Sequence, residues 1–148
     1  MEGGLSFPNG NRRTAPPAVS TLEVLGCMAA IAAVKASLAH RGFARTVARI
    51  HARTPNATAG ADAPDELVAR LDRLVAVAAA WYPGRALCLE RSLVLYERLR
   101  RAGARAELRL GVQAAPFASH AWIERNGEPL NDVLEHTEQF TPVPLGAP

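Results

Sequence analysis

The sequence is poor in cysteine and in aromatic residues, and these two shortages exclude whole classes of protein. Only Cys27 and Cys88 occur in 148 residues, with no Cys-x-x-Cys pair, so we expect no disulfide framework and a reducing, cytoplasmic location. Aromatic residues make up 5% of the chain, and 17 basic residues stand against 14 acidic ones. This composition gives little support for nucleic-acid binding, which needs clustered cations and, for single strands, stacking rings.

Long hydrophobic runs are also absent. The longest apolar run covers residues 24–34 and is bounded by Glu23 and Lys35. Because a bilayer is crossed by about 20 apolar residues, this run predicts a buried helix and no membrane association. The start of the chain lacks the basic segment followed by an apolar one that is typical of a secretory signal, so we expect none.

The length and composition are those of one globular domain. A chain of 148 residues that is 49% hydrophobic can bury one core of ordinary size. Residues 1–19 are rich in Gly, Pro and Asn and show no periodicity, so they predict a flexible N-terminal segment. We assign residues 20–148 to a single domain, with a helical part at 20–102, a sheet part at 104–135 and a C-terminal tail at 136–148.

Four helices are predicted in the helical part. Ser20 and Glu23 have the spacing of a capping box, which begins a helix at about 21–40. Apolar residues at spacings of three and four predict a second helix at about 42–53. A third follows Pro64 and ends at Trp81, and a fourth covers about 88–102, before a glycine that suits the C-terminal cap.

The periodicity changes after the fourth helix. Apolar and charged residues alternate over 104–112, which predicts a strand with one exposed face. The loop at 114–119 leads to a second strand, His-Ala-Trp-Ile-Glu at 120–124, and a turn at Asn126-Gly127 leads to a third at 129–133. Helices followed by a small antiparallel sheet predict an α+β fold.

Three residues of this second half together suggest a catalytic site. Cys88 stands in the first turn of the fourth helix, where free amides and the helix dipole favour the thiolate, whereas Cys27 lies among apolar residues and is interpreted as packing. Taken alone, Cys88, His120 and Asp132 each have an ordinary structural explanation. Together they supply the nucleophile, the general base and the acid that orients it.

The register of the second hairpin decides whether Asn131 or Asp132 can orient His120. A two-residue turn at Asn126-Gly127 places Asn131 on the face of His120, whereas a three-residue bulged turn places Asp132 directly opposite. The bulged turn makes two glutamates face each other, which costs only some tenths of a kcal/mol, while misplacing the orienting acid costs far more in rate. We therefore predict the bulged turn.

Several consecutive motifs also carry a family resemblance. CLERSLVLYERLRRAG, LGV, PFASHAWIE and GEPLND, between residues 87 and 132, resemble the transglutaminase-like cysteine peptidases of lasso-peptide biosynthesis, which remove the leader from the lasso precursor. The resemblance implies a transglutaminase-like or papain-like core, with Cys88 as nucleophile, His120 as base and Asp132 as orienter. The chain resembles the split form of that enzyme, which implies a separate small leader-recognition protein and, as a further partner, the lasso cyclase.

Other residues have open interpretations. The backbone N–H of Cys88 is one oxyanion donor, and Trp81 and Tyr82 are candidates for the second. Arg91 and Ser92 either brace the site or pack behind it. Trp122 either shields His120 from water or fills the core. A basic stripe with a period of four is either a solvated face or a docking surface for an acidic leader or partner; it comprises Arg41, Arg45, Arg49 and Arg53.

Two further functions remain open from the sequence. An acyl-enzyme can be resolved by an amine as well as by water, which would make the protein an acyl transferase. Alternatively, the chain is a non-catalytic scaffold that binds the precursor. There is no nucleotide-binding loop, no Cys/His metal spacing, and the four histidines are scattered, so we predict no metal and no organic cofactor.

Overall fold

The computed structural model describes residues 18–54 and 62–145. The predicted flexible segment therefore lies outside the described residues except for positions 18 and 19. Within the described residues the chain forms five helices and four strands. They are α1 (Thr21–Arg41), α2 (Phe43–Arg53), α3 (Asp65–Trp81), α4 (Cys88–Arg101), β1 (Glu107–Ala114), β2 (Phe117–Arg125), β3 (Glu128–Pro129), α5 (Leu134–Thr137) and β4 (Thr141–Val143). The predicted α+β class is confirmed.

Local sequence signals place the first four helices to within one or two residues of their predicted bounds. The capping box of α1 forms as expected, because the Ser20 amide donates to the Glu23 carboxylate at 2.9 Å and the Glu23 amide donates to Ser20 Oγ at 3.3 Å. Arg70 of α3 donates to the same carboxylate at 2.5 Å. One acidic side chain thus begins α1 and ties it to α3.

The hydrophobic core lies between three helices and one face of the sheet. Helices α1, α3 and α4 pack on one another, and α4 packs on β1 and β2. The largest fully buried side chains come from all of these layers and include Ile31, Leu74, Leu93, Leu95 and Ile123. Because α4 is buried along most of its length, its first turn is held rigidly against the sheet.

Helix α1 has two faces. It contributes Cys27, Ile31 and Val34 to the core, so the helix that we predicted to be buried is buried on one face only. On the other face Leu22 and Leu25 are exposed. Among the described helices it is the one whose length and composition would suffice to cross a membrane.

The sheet differs from its prediction at both ends. The order is β3-β2-β1-β4 with every pair antiparallel. The predicted loop at 114–119 shrinks to a two-residue turn, with a cis bond between Ala115 and Pro116, and β2 begins at Phe117. The segment predicted as a tail from residue 136 instead completes α5 and adds β4, which pairs with β1. Neither α5 nor β4 was predicted, because both are short and neither shows a regular alternation of apolar and polar residues.

The register of the second hairpin was predicted wrongly. Arg125 pairs with Glu128 and Glu124 with Pro129, which leaves Asn126 and Gly127 as a two-residue turn. Both have positive φ, 55° and 83°, as a type I′ turn requires. The bulged turn was predicted from the requirements of catalysis. The two-residue Asn-Gly turn forms instead, because its backbone twist matches that of the two strands.

Candidate active site

Cys88 is the first residue of α4, and a buried acid fixes this helix start. The Leu87 amide donates to Glu90 Oε2 at 2.5 Å. Lys35 from α1 lies 3.8 Å from the other oxygen of Glu90 and donates to the Arg85 carbonyl at 2.7 Å. The first amides of a helix have no partner within it, so the Cys88 amide is available to a group bound next to the thiol.

Cys88, His120 and Asp132 line one cavity of about 260 Å³. His120, on β2, is hydrogen-bonded through Nε2 to Asp132 Oδ2. A carboxylate only accepts hydrogen bonds, so Nε2 carries the proton and Nδ1 of the neutral ring keeps its lone pair. The three residues singled out from the sequence are therefore brought together, with Nδ1 as the nitrogen that can accept a proton.

Asp132 reaches His120 although the predicted register is wrong. The ladder between β2 and β3 ends where the Leu130 amide donates to the Ile123 carbonyl at 2.8 Å. The Ile123 amide donates to the side-chain oxygen of Asn131, also at 2.8 Å, so a side chain replaces the next backbone partner. The chain leaves the strand there, and the alternation of faces on which the prediction rested no longer applies.

Ser92 and Asn131 connect the helix to this departing segment. Ser92 is fully buried; its hydroxyl donates to the Ala121 carbonyl at 2.9 Å and accepts from Asn131 Nδ2 at 3.0 Å. Ala121 follows His120, and Asn131 precedes Asp132. The question left open for Ser92 is thereby answered, because its hydroxyl ties α4 to both chain segments that carry the other two site residues.

Asp132 has a second imidazole partner that the sequence analysis missed. His136 Nδ1 lies 2.9 and 3.0 Å from the two carboxylate oxygens, and the Val133 amide donates to Oδ1 at 2.8 Å. Burial acts to raise the pKa of Asp132, but the hydrogen bonds from His136, Val133 and His120 outweigh it, and the pKa lies below its usual value. The Asp-x-x-x-His spacing was the available signal, but it has meaning only on a helix, and α5 was not predicted.

Aromatic side chains surround the His120 ring. Trp122 stacks on it with ring centroids 5.8 Å apart, and Phe140 lies at 5.1 Å. Gly111 pairs with His120 across the β1–β2 ladder, and a Cβ there would lie 2.6 Å from Phe140 Cβ and 3.0 Å from the Trp122 ring. Only glycine therefore admits this packing, in which Trp122 is buried outside the main core cluster and covers one side of His120.

The two candidates for a second oxyanion donor do not lie at the site. Neither Trp81 nor Tyr82 lines the cavity of Cys88. Trp81 is 76% exposed. The Tyr82 ring lies 5.8 Å from Lys35 Nζ. Both candidates stand at the end of α3, where helical periodicity no longer predicts which side chains are buried.

Arg91 lies at the wall of the cavity. Its Nε is buried and has no hydrogen-bond partner among the described residues. Burial raises the pKa of Asp72 on α3 to about 6, and the nearby charge of Arg91 only partly opposes this. Arg91 therefore belongs to a polar layer that continues from the cavity toward α3.

The basic stripe borders a second and larger cavity, of about 640 Å³, between α1, α2 and α4. Of the four arginines predicted to act together, Arg41, Arg49 and Arg53 line it, and Arg45 does not. Two further arginines come from α4, namely Arg98 and Arg101. One acidic residue, Glu97, also lines the cavity and pairs with Arg101 at 2.6 Å. The apolar lining residues include Ala30, Ala33, Val34, Ile50 and Val94. We call this cavity the basic groove.

Comparison with known proteins gives one match. Residues 30–144 match the sequence model of the family described as the transglutaminase-like superfamily. This range contains Cys88, His120 and Asp132 and extends through β4. No curated protein and no solved structure matches the chain.

Proposed function

Because the chain belongs to the transglutaminase-like superfamily, which includes cysteine peptidases and acyltransferases, we propose that it is a cysteine peptidase that removes the leader peptide from a lasso-peptide precursor. The observation that carries the enzymatic part is the shared cavity of Cys88, His120 and Asp132. The lasso substrate class is supported by the motifs of residues 87–132, and we assign the reaction to the cytoplasm, where Cys27 and Cys88 stay reduced.

The reaction begins with proton transfer from Cys88 to His120. Nδ1 accepts the thiol proton, the thiolate attacks the carbonyl carbon of the scissile peptide bond, and the Cys88 amide donates to the developing oxyanion. Collapse of the tetrahedral intermediate breaks the C–N bond, and His120 returns its proton to the leaving amine. Water, deprotonated by the same nitrogen, then hydrolyses the thioester and releases the leader.

Asp132 holds His120 in the tautomer that this sequence needs. It accepts from Nε2, so the lone pair stays on Nδ1, and its negative charge stabilises the imidazolium that forms after proton transfer. His136 and the Val133 amide act on Asp132 in turn, since their hydrogen bonds keep the carboxylate ionised and fix its direction.

The non-catalytic residues of the motifs support the lasso assignment. Ser92, Ala121 and Asn131 belong to the Cys-x-x-Arg-Ser, His-Ala-Trp and Leu-Asn-Asp blocks that carry the resemblance, and they contact one another. The blocks thus have one shared structural purpose, which is to hold helix, strand and loop together at the site. A resemblance that rested on the catalytic residues alone would lack this support.

The basic groove is the proposed docking surface for an acidic segment of the leader or of a separate leader-recognition protein. It combines apolar lining residues with five arginines and a single acid, Glu97. Arg101 at the end of α4 is thirteen residues from Cys88, which corresponds to about 20 Å along the helix axis. An extended peptide covers that distance with about six residues, so the docked segment and the cleaved bond would be at least that far apart in the precursor.

Acyl transfer is the second candidate reaction, and the aromatic cover of His120 favours it. Trp122 and Phe140 are both buried, and a site that restricts water allows an amine to resolve the acyl-enzyme. Addition of a primary amine during turnover separates the two reactions by mass, since transfer yields an amide in place of the free acid. The scaffold alternative predicts that Cys88 reacts with an alkylating reagent no faster than a free thiol.

The proposal is tested by mass spectrometry of a lasso precursor incubated with the purified full chain and its leader-recognition protein. We expect one cleavage, with the leader released as the free acid, and none with the Cys88→Ala variant. If the precursor stays intact although Cys88 is rapidly alkylated, the substrate assignment is wrong. The assignment as a cysteine enzyme would then be unaffected.

A further inference from the structure

Three groups that bind transition metals converge beside the nucleophile. One ring nitrogen each of His120 and His136 and a carboxylate oxygen of Asp132 lie within 4.8 Å of one another, and the His120 and His136 ring centroids are 4.7 Å apart. Cys88 lines the same cavity. The histidines are scattered along the sequence, and α5 brings His136 to the other two residues.

We propose that His120, Asp132 and His136 form a binding site for one divalent transition-metal ion of the zinc type, in which a bound ion and peptidase activity exclude each other. Two imidazoles and one carboxylate are ordinary ligands of zinc. A thiolate, such as that of Cys88, is a further ligand that zinc accepts, and its place in the same cavity makes it the candidate for the fourth position.

The spacing of the ligand atoms suits a small ion. At metal–ligand distances of about 2.0–2.2 Å, tetrahedral ligands are separated by about 3.3 Å. His136 Nδ1 now lies 2.9 and 3.0 Å from the oxygens of Asp132, held by a hydrogen bond. An ion that replaces this proton, and the one between His120 and Asp132, requires the three side chains to move apart slightly, and His136 is free to do so because 44% of its side chain is exposed.

Metal binding would inactivate the site through the tautomer of His120, an inference that rests on the proposed function. To coordinate through Nε2, the neutral ring must move its proton to Nδ1, which is the nitrogen that accepts the thiol proton in catalysis. His136 likewise moves its proton from Nδ1 to Nε2, so neither ring releases a proton to solvent. If Cys88 coordinates, its thiol releases one proton to solvent. The base is lost in either case, and in the second case the nucleophile is lost as well.

The test uses the full chain freed of metal with a chelator. Calorimetric titration with zinc sulfate should show one ion per chain, and titration with Co²⁺ should show visible bands of a tetrahedral site, with a thiolate charge-transfer band if Cys88 is a ligand. His136→Gln keeps a hydrogen-bond donor near Asp132 but removes an imidazole. Since loss of an outer-shell partner alone weakens metal binding by about 10–100-fold, the loss of this ligand should cost at least as much.

His40→Ala is the matched control, since His40 lies at the end of α1 and outside the cluster, and its zinc affinity should equal that of the parent chain. Zinc affinity that is unchanged in both His136→Gln and His136→Ala, or the absence of stoichiometric binding, overturns the site. The outcome is separable from the peptidase proposal. If the metal-free protein cleaves the precursor but binds no zinc, only the metal site is refuted. If the protein binds zinc through His136 but is inactive when metal-free, only the peptidase proposal is refuted.

Discussion

The surroundings of the two cysteines differ in almost every physical respect. Cys27 is completely buried in the middle of α1; burial raises the pKa of its thiol, against a smaller opposing effect of Arg98. Cys88 begins a helix, is partly accessible and shares a polar cavity with His120 and Asp132. The difference shows that what makes a thiol a candidate nucleophile is a helix start and an imidazole across the cavity, both of which Cys27 lacks.

The largest expected effect separates the two cysteines directly. Cys88→Ala should reduce precursor cleavage by at least about 10³-fold, because no other group at the site can form the acyl-enzyme. Cys27→Ala should leave the rate constant near that of the parent chain and lower the free energy of unfolding by about 1 kcal/mol, since it creates a small cavity. Single-turnover cleavage and chemical denaturation measure the two quantities. The opposite pattern would move the nucleophile to Cys27.

The next effect concerns what orients the base beside Cys88. Asp132→Asn should lower the rate constant for cleavage by about 10²-fold or more, because an amide can donate to His120 as well as accept and so permits the wrong tautomer. Glu135→Gln, three residues along and exposed, is the matched control and should not change the rate. Asp132→Asn with nearly full activity would show that the site works as a Cys-His-Asn arrangement.

A smaller effect should come from the links that hold the site together. Ser92→Ala and Asn131→Ala should each lower the rate constant by about tenfold with little change in KM, since a small misplacement of catalytic groups is costly in rate. Because the two side chains contact each other, the double variant should lose less than the product of the single losses. Multiplicative losses would mean that they act independently and would contradict a shared positioning role.

These links also explain how far the sequence could predict the site. The helix bounds and the position of Cys88 follow from caps, glycines and apolar spacing, all of which act within a few residues. The contact between His120 and Asp132 does not follow from such local signals. It depends on the Asn131 side chain, which replaces a backbone partner of Ile123. We predicted Asp132 correctly as the partner of His120 but from a wrong register, since alternation was assumed to continue past Pro129.

The C-terminal part was predictable least. Strand β4 is three residues long and gains its partners from β1, and Phe140 is placed by the space that Gly111 leaves. Neither fact has a local pattern in the sequence. His136 escaped notice for the same reason, because its role depends on α5, a four-residue helix. The apolar surroundings of Cys27, by contrast, were predicted from its neighbours on α1, although the nearby Arg98 of α4 was not.

The basic groove supplies a comparison on the helical side of the molecule. Arg41→Glu combined with Arg49→Glu should raise KM for the precursor about 3–10-fold at low salt and leave the rate constant unchanged, because screened charge acts on association. Arg45 lies on α2, as Arg49 does, but outside the groove, so Arg45→Glu should have a smaller effect. The difference should shrink as salt rises. An effect of Arg45→Glu as large as that of the double variant would indicate a diffuse charge effect rather than docking.

The smallest expected effect concerns Asp72, in the polar layer that continues from the cavity of Cys88. Burial of this carboxylate lowers the free energy of unfolding. Burial raises the pKa of Asp72 to about 6 from its ordinary 3.8, so the folded state holds the proton more tightly than the unfolded state. Stability therefore falls as the pH rises from about 4 to about 6, and the full cost is present at neutral pH. After allowance for partial exposure, this cost is about 1–2 kcal/mol.

Asp72→Asn removes the charge and should raise the midpoint of thermal unfolding at pH 7 by about 3–6 °C. The gain should decrease on acidification and vanish below about pH 4, where the parent aspartate is protonated in both states. Glu66→Gln, at the exposed start of the same helix, is the control and should shift the midpoint little at any pH. If Asp72→Asn destabilises the chain at pH 7, then the attraction between the Asp72 carboxylate and the nearby Arg91 charge outweighs the cost of burial, and the polar layer stabilises the fold.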